Sequence, residues 1–191
     1  FTSRPDRALP VSRSTGSPVW LGEVDIANCF YTLELPSEFR PYFALPSIRA
    51  GDAGVAHTVE GAVASHDRVF PCLRVVPMGW SHALGACQMI HESMVTKLAG
   101  LSIENQMKDG SMVPRMNPII HTEYVDNFVA YGVEEEPVRR AAESVNSLFK
   151  TKGLPTHDVE CGRGGKSLGW EFSSDDSTVG LNPHKLWRLR L

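Results

Sequence analysis

The apolar run at residues 118–132 is the feature that most restricts how this chain can fold. It is rich in β-branched and aromatic residues, and a small polar pair, Asp126-Asn127, interrupts it. Asp and Asn accept turn conformations that β-branched residues avoid, so the run predicts a tight β-hairpin. Asp126 would then stand at the tip of this hairpin, either as a solvated surface acid or as part of a functional site.

Length and composition are typical of a globular protein. The 191 residues are 42% hydrophobic and 21% charged, which is enough for one domain with a substantial core. No apolar run is long enough to cross a bilayer, so we expect no membrane partner. The net charge of -3 argues weakly against nucleic-acid binding, because such domains are usually basic. Carboxylates that hold metal ions would also make the charge negative.

The cysteines and the chain ends give further expectations. Four cysteines lie far apart, without a zinc-binding pattern, which favours free thiols in a reducing, intracellular compartment, either nucleus or cytoplasm. The chain starts at Phe1 rather than Met and stops at Leu191 after a basic stretch, so we expect it to be a piece of a longer polyprotein.

Hydrophobic periodicity predicts an α+β fold with helices on one face of a mainly antiparallel sheet. Glycines and prolines mark where the predicted elements begin and end. The predicted elements are a strand at 19–26, a short helix capped by Ser37, a strand at 42–45, a hairpin near 59–61, an extended segment at 68–76, a helix capped by Ser81 and ended by Gly100, the central hairpin, a helix from Glu135 to Gly153, a strand at 154–160, a Gly-rich turn at 161–167 and a closing hairpin at 168–181.

Two acids, Asp25 and Asp126, are the candidates for chemistry. Asp25 ends the first predicted strand, and if that strand pairs beside the hairpin, both acids project from the same end of the sheet. Two adjacent carboxylates stay ionised only when cations lie between them. Two hard cations about 3.5–4 Å apart are what in-line phosphoryl transfer uses, and magnesium prefers carboxylate and water oxygens.

Five segments resemble, in order, the motifs of a reverse transcriptase palm of the retroelement type. Each is short, but all five occur in the order that the family requires. They are the acid-plus-aromatic motif at 24–31, the Pro-x-Gly turn and following helix at 73–81, the Tyr-x-Asp hairpin at 124–127, the helix end at 150–154 and the primer-gripping hairpin at 168–172.

The resemblance implies a polymerase palm: an RRM-like antiparallel sheet with helices packed on one face, a partial fingers region and the start of a thumb. It assigns residues 1–18 to a linker or the end of the fingers, and 19–172 to the palm with a fingers-like insertion at about 36–75. Residues 173–191 would be the end of the primer-grip hairpin and the start of the thumb, with the basic residues 185–188 leading into it.

The resemblance also implies roles for individual residues. Each role has an alternative: Trp170 and Phe30 can also be core aromatics, and Lys152 can equally be a solvated helix-end lysine. The implied roles are Asp25 and Asp126 as catalytic ligands of two Mg²⁺ ions (Mn²⁺ being possible) assisted by the carbonyl of Ile26, Asn127 as a further catalytic residue, Phe30, Gly79 and Lys152 as nucleotide-binding residues, and Gly169 and Trp170 as primer-binding residues.

The implied activity is RNA-directed DNA synthesis by two-metal nucleotidyl transfer. Its partners would be a primed RNA or DNA template and deoxynucleoside triphosphates, with this fragment inactive without the missing fingers and thumb. Asn127 stands where the family usually has a second acid. This amide is either a tolerated variant or the mark of a catalytically inactive palm that still binds nucleic acid. A primase or RNA-copying polymerase is a third reading, against which Phe30 argues.

Overall fold

The computed structural model describes residues 19–112, 114, 118–174 and 179–181, which form an α+β fold as predicted. The chain divides into two compact units, Asn28–Leu84 and the remainder, and the remainder carries the main sheet. In chain order the elements are β1 (Trp20–Asp25), α1 (Cys29–Thr32), a 3-10 helix (Ser37–Phe43), β2 (Ile48–Arg49), β3 (His57–Thr58), β4 (Gly61–Ala62), β5 (Arg68–Val69), α2 (Ala83–Lys97), a 3-10 helix (Ile103–Asn105), β6 (Ile119–Tyr124), β7 (Asn127–Gly132), α3 (Glu135–Thr151), β8 (Glu160–Arg163), β9 (Gly165–Ser167), β10 (Trp170–Phe172) and β11 (Val179–Leu181).

The main sheet has four antiparallel strands in the order β6-β7-β1-β8. The first strand of the chain therefore lies between the hairpin β6–β7 and the late strand β8. With α2 before the hairpin and α3 after it, the connectivity β1–α2–β6–β7–α3–β8 is that of a split βαβ arrangement. This order brings the end of β1 beside the start of β7, where the predicted acids lie.

α3 is the amphipathic helix that covers one face of the sheet. Its acids at Glu135 and Glu136 favour the helix N-terminus, and Gly153, at φ 76°, follows its C-terminal end. The helix packs on β1, β7 and β8. Apolar periodicity predicts a buried face made of Val138, Ala141, Ala142, Val145, Leu148 and Phe149. All of these residues are buried except Leu148, which is only partly buried.

Two glycines let α3 approach the sheet closely. A Cβ at Gly132 would stand 2.6 Å from a methyl carbon of Val138, and a Cβ at Gly22 would stand 2.9 Å from the other. Both distances are shorter than carbon atoms tolerate, so a side chain at either glycine would push α3 away. Gly22 and Gly132 thereby fix which face of β1 and β7 meets the helix.

The opposite face of the sheet is also covered. A second antiparallel sheet, in the order β11-β10-β9, packs its partly buried residues Leu168, Trp170 and Val179 against it. The loop of its first hairpin, Leu168-Gly169, has positive φ at both positions, which suits the twist of a two-residue hairpin. The buried cluster between the two sheets consists of Val19, Leu21, Ile120, Val129, Tyr131 and Phe172.

The unit Asn28–Leu84 contains short elements only. Two two-stranded pairs, β2–β5 and β3–β4, are present, the second joined by the turn predicted near 59–61. Trp80 is the centre of an aromatic group, with its ring centroid 5.3 Å from that of Phe43 and 6.3 Å from that of Phe39.

The predicted strand at 42–45 is wrong. Residues Ser37–Phe43 form a 3-10 helix, and Ala44 makes only an isolated bridge. Pro41 lies inside this helix, where its fixed φ suits a turn and its missing N–H would weaken a strand. Ser37 is not the cap either: the helix follows Pro36, and the Ser37 hydroxyl donates to the neighbouring Glu38 carboxylate at 3.1 Å.

The Gly-rich turn predicted at 161–167 is mostly strand. β8 and β9 occupy this segment and only Gly164, at φ 66°, separates them. A Cβ there would stand 2.6 Å from the Phe172 carbonyl oxygen, so close backbone packing explains this glycine. The strand expected at 154–160 starts correspondingly late, at Glu160.

The buried side of α2 differs from the predicted apolar side. The helix begins at Ala83 rather than directly after Ser81. Apolar spacing predicts one side made of Leu84, Cys87, Ile90 (with His91), Met94 and Leu98, but Leu84, Ile90 and Leu98 are exposed. The buried side follows a four-residue spacing instead: Ala83, Cys87, His91 and Val95. A histidine therefore occupies a position in the core.

Within the described part of the chain, no helix is both long and apolar enough to cross a membrane. The predictions for residues 1–18 and 185–188, the linker and the thumb entry, fall outside the described residues. The division of residues 19–191 into palm, fingers-like insertion and thumb remains a prediction.

Replacing Gly132 by Ala is expected to lower the free energy of unfolding by about 1–3 kcal/mol, the usual effect of overpacking a core. The added Cβ would collide with Val138. Urea unfolding followed by circular dichroism measures the change. Gly162→Ala, also in a strand of the main sheet but with its nearest neighbour 3.8 Å away, is the matched control. Equal stability of the two variants would contradict the close-packing role.

Candidate active site

The strand register brings Asp25 and Asp126 to the same place. Asp25, the last residue of β1, pairs directly with Asn127, the first residue of β7. One step further, the Ile26 N–H donates to the Asp126 carbonyl oxygen at 3.0 Å. Two acids far apart in the sequence thus meet at one end of the sheet, as predicted from the strand and turn signals.

The two carboxylates interact electrostatically. Burial raises the pKa of Asp25 above its usual value, and the negative charge of Asp126 adds to the rise, while His157 opposes it. The Asp25 side chain keeps 38% of its surface exposed. A cation that enters from solvent between the two acids would therefore stabilise the ionised form of both carboxylates.

The hairpin turn differs by one residue from the prediction. Its two loop residues are Val125 and Asp126, and Asn127 already belongs to β7. Val125 has φ 57°, a left-handed conformation that is unfavourable for a β-branched residue. The turn is therefore imposed by its surroundings and not chosen by local propensity.

Side chains of α2 satisfy the backbone of this strained residue. Gln88 accepts a hydrogen bond from the Val125 N–H at 2.8 Å, and His91 Nδ1 lies 3.0 Å from the Val125 carbonyl oxygen. Burial lowers the pKa of His91, so its ring is neutral and Nδ1–H donates to that oxygen. These contacts explain why polar residues face the core on α2.

Asn127 faces Asp126 with its amide nitrogen. Asn127 Nδ2 donates to Asp126 Oδ1 at 3.1 Å, so the amide orients the carboxylate in this arrangement. The structure places Asn127 beside both acids. Its predicted catalytic role stays a prediction.

His157 is a neighbour of Asp25 that the sequence analysis did not identify. The segment around it runs beside the end of β1, with the His157 N–H donating to the Asp25 carbonyl at 3.0 Å. Its Nε2 lies 3.6 Å from Asp25 Oδ2, and the side chain is exposed. No local sequence signal distinguishes this histidine, because only the strand pairing places it at the site.

The other predicted positions are not joined to the acids by any described contact. Lys152 follows α3, where its backbone N–H satisfies helix carbonyls and its side chain is exposed. Gly169 is in the β9–β10 turn, and Trp170 packs partly buried on the main sheet, as a core aromatic would. Phe30, half-buried in α1, and Gly79, at φ 94°, belong to the unit Asn28–Leu84.

The donor set fits magnesium bound together with a substrate. Among the described residues, no three His, Cys, Asp or Glu side chains form a ready-made metal cluster. Mg²⁺ usually keeps several waters and binds through one or two carboxylates plus substrate phosphates, and the two acids Asp25 and Asp126 match that number of carboxylates. The carbonyl of Ile26 remains a predicted third donor.

No protein-family model matches the chain, and no curated protein matches it. A function for the chain is therefore inferred from its motifs, its topology and the geometry around Asp25.

Glu23 is a second perturbed acid on β1. Burial raises its pKa to about 6, Ser167 lowers it, and the charges of Glu160, directly opposite on β8, and Asp25 raise it. Its pKa in the unfolded chain is near 4.5, so the folded state binds the proton more tightly. Stability therefore falls as pH rises from about 4.5 through 6.

Glu23→Gln is expected to raise the melting temperature more at pH 7.5 than at pH 5, because the amide resembles the protonated acid, which is the main form of Glu23 in the folded protein at pH 5. Thermal unfolding by circular dichroism at the two pH values measures this. Glu143→Gln, exposed on α3, is the control and should change neither value. A gain at pH 5 equal to that at pH 7.5 would contradict the assignment.

Proposed function

We propose that this chain is the palm of a template-directed polymerase of the reverse transcriptase class, which extends a primer with deoxynucleotides. The observation that carries the proposal is the pairing of Asp25 with Asn127, which sets Asp126 beside Asp25. These acids belong to the motifs at 24–31 and 124–127. If the resemblance to the family holds, the acids of these two motifs must lie side by side. The split βαβ order of the main sheet is consistent with an RRM-like palm.

In the proposed reaction the primer 3′-hydroxyl oxygen bonds to the α-phosphorus of a deoxynucleoside triphosphate while the bond from that phosphorus to its bridging oxygen breaks. Pyrophosphate leaves with the electron pair of that bond, and the hydroxyl proton passes to solvent. Positioning and charge neutralisation do most of the work in such transfers. Asp25 and Asp126 would hold the divalent cations, which would neutralise the phosphates and polarise the attacking oxygen. Asn127 keeps Asp126 oriented through its amide hydrogen bond.

The remaining roles in the proposal come from the resemblance. Phe30 would exclude a ribose 2′-hydroxyl, and Gly79 would allow close approach to the nucleotide. Lys152 would act near the leaving pyrophosphate, and Gly169 and Trp170 would support the primer. A primed template and the other domains of a longer polyprotein complete the proposed assembly.

One observation favours a second function, a palm that binds nucleic acid without catalysis. Asn127 is neutral and offers its nitrogen to Asp126, so only two full carboxylates remain for metal binding. A non-catalytic domain predicts nucleic-acid binding that weakens as salt rises, with no extension under Mg²⁺ or Mn²⁺.

Asp25→Asn and Asp126→Asn are each expected to reduce primer extension by roughly 100-fold or more, since metal-based charge stabilisation is worth several kcal/mol. The assay uses the full protein that carries this chain, a primed RNA template, and Mg²⁺ or Mn²⁺. Asp52→Asn, an exposed acid in the unit Asn28–Leu84, is the matched control.

Unchanged extension in the Asp25 and Asp126 variants would refute the site. Salt-sensitive binding without extension by the wild type would favour the non-catalytic domain instead.

Phe30→Ala is expected to raise the use of ribonucleotides relative to deoxynucleotides, because the proposed barrier to the 2′-hydroxyl is removed. The measurement is the ratio of kcat/KM for the two nucleotide classes. Tyr31→Ala, which changes the exposed neighbouring aromatic, should leave this ratio unaltered. An unchanged ratio in the Phe30 variant would make Phe30 a core aromatic only.

A further inference from the structure

The backbone of the Val125–Asp126 turn is strained, so contacts with the surrounding structure must stabilise it. At φ 57°, Val125 is in a region that β-branched residues avoid. Such conformations persist only where the surrounding structure over-determines them, and they cluster at functional sites. Asp126 follows immediately, so the two peptide groups of Val125 decide where the Asp126 carboxylate stands.

Gln88 fixes the first of these peptide groups. Its Oε1 accepts from the Val125 N–H at 2.8 Å, while its Nε2 donates to the Glu123 carbonyl at 2.9 Å. Gln88 therefore binds the backbone on both sides of Tyr124. The hairpin cannot move at this point unless both hydrogen bonds break.

Glu92 determines how the Gln88 amide is oriented. The Glu92 carboxylate accepts from Gln88 Nε2 at 2.9 Å, which turns Oε1 toward Val125. Lys108 in turn donates to Glu92, and together with the Gln88 hydrogen bond it lowers the pKa of Glu92, although burial opposes the shift. A chain of contacts thus runs from Lys108 through Glu92 and Gln88 to the turn.

His91, one helical turn away from Gln88, fixes the second peptide group. Its Nδ1–H donates to the Val125 carbonyl at 3.0 Å, and its ring packs edge-on against Phe149, with centroids 5.2 Å apart. His91 is 1% exposed, so water cannot replace this hydrogen bond without opening the core. Both backbone polar groups of Val125 are therefore bound by side chains of α2.

We propose that Gln88, oriented by Glu92, and His91 are positioning residues of the candidate active site, acting as a two-point clamp on Val125 that sets the Asp126 carboxylate beside Asp25. The cation-binding consequence rests on the proposed function. The clamp itself does not, because it concerns only the conformation of the turn.

The test compares two variants of the full protein. Gln88→Leu removes the acceptor for the Val125 N–H. The double exchange Gln88→Glu with Glu92→Gln keeps an acceptor at that position and leaves the net charge unchanged. The readouts are hydrogen exchange of the Val125 amide, Mn²⁺ binding by calorimetry, and the kcat, metal KM and nucleotide KM of primer extension.

For Gln88→Leu we expect Val125 exchange to accelerate roughly tenfold, as the loss of one hydrogen bond predicts. Mn²⁺ affinity and kcat should fall about 10- to 100-fold, the usual effect of removing a residue that orients a metal ligand, while nucleotide KM stays unchanged. The double exchange should recover Val125 protection and part of the Mn²⁺ affinity. His91→Phe, which keeps the ring but removes the donor, should shift the same readouts in the direction of Gln88→Leu.

A core variant separates positioning from stability. Val145→Ala weakens the α3 core and removes no hydrogen bond of the clamp. If it reproduces the Gln88→Leu losses at equal global stability, or if Gln88→Leu leaves Val125 exchange unchanged, the clamp is refuted. If the wild type binds no Mn²⁺, the proposed function fails instead. The clamp is then decided by hydrogen exchange of the Val125 amide alone, measured in Gln88→Leu and in the double variant Gln88→Glu with Glu92→Gln.

Discussion

The antiparallel pairing of β1 with β7 is the constraint on which the rest of the structure depends. It runs in unbroken register from Trp20 opposite Gly132 to Asp25 opposite Asn127. One end of this pairing carries the two glycines against which α3 packs, and the other end carries the acids. Core packing and candidate chemistry are therefore set by the same row of hydrogen bonds.

The hairpin turn shows how the fold overrides local preference. A valine in a left-handed conformation costs free energy, and polar side chains at two positions of α2 would normally face solvent. The two features compensate each other, because the polar side chains of Gln88 and His91 form hydrogen bonds with the backbone of the strained Val125. The result is a turn held by two side-chain hydrogen bonds next to a partly exposed acid, an arrangement that suits a positioned carboxylate.

Local sequence signals predicted the features that depend on a single helix or strand, and missed several that depend on contacts between distant segments. The apolar face of α3 and the meeting of Asp25 with Asp126 followed from periodicity and from strand ends. The buried face of α2 did not, since apolar spacing indicated Leu84, Ile90 and Leu98, whereas the contacts that hold His91 in the core come from residues far along the chain. His157 was missed for the same reason: its closeness to Asp25 arises from strand pairing between distant segments.

The position of the unit Asn28–Leu84 in the chain has a consequence for how such a protein can diversify. This unit is inserted between β1 and α2, so its length can change without altering the register of the main sheet. A single inserted residue within β1 or β7 would instead turn every following side chain to the opposite face. Insertions and deletions are therefore expected in the unit Asn28–Leu84. The strands that hold the acids can accept substitutions but not a change of length.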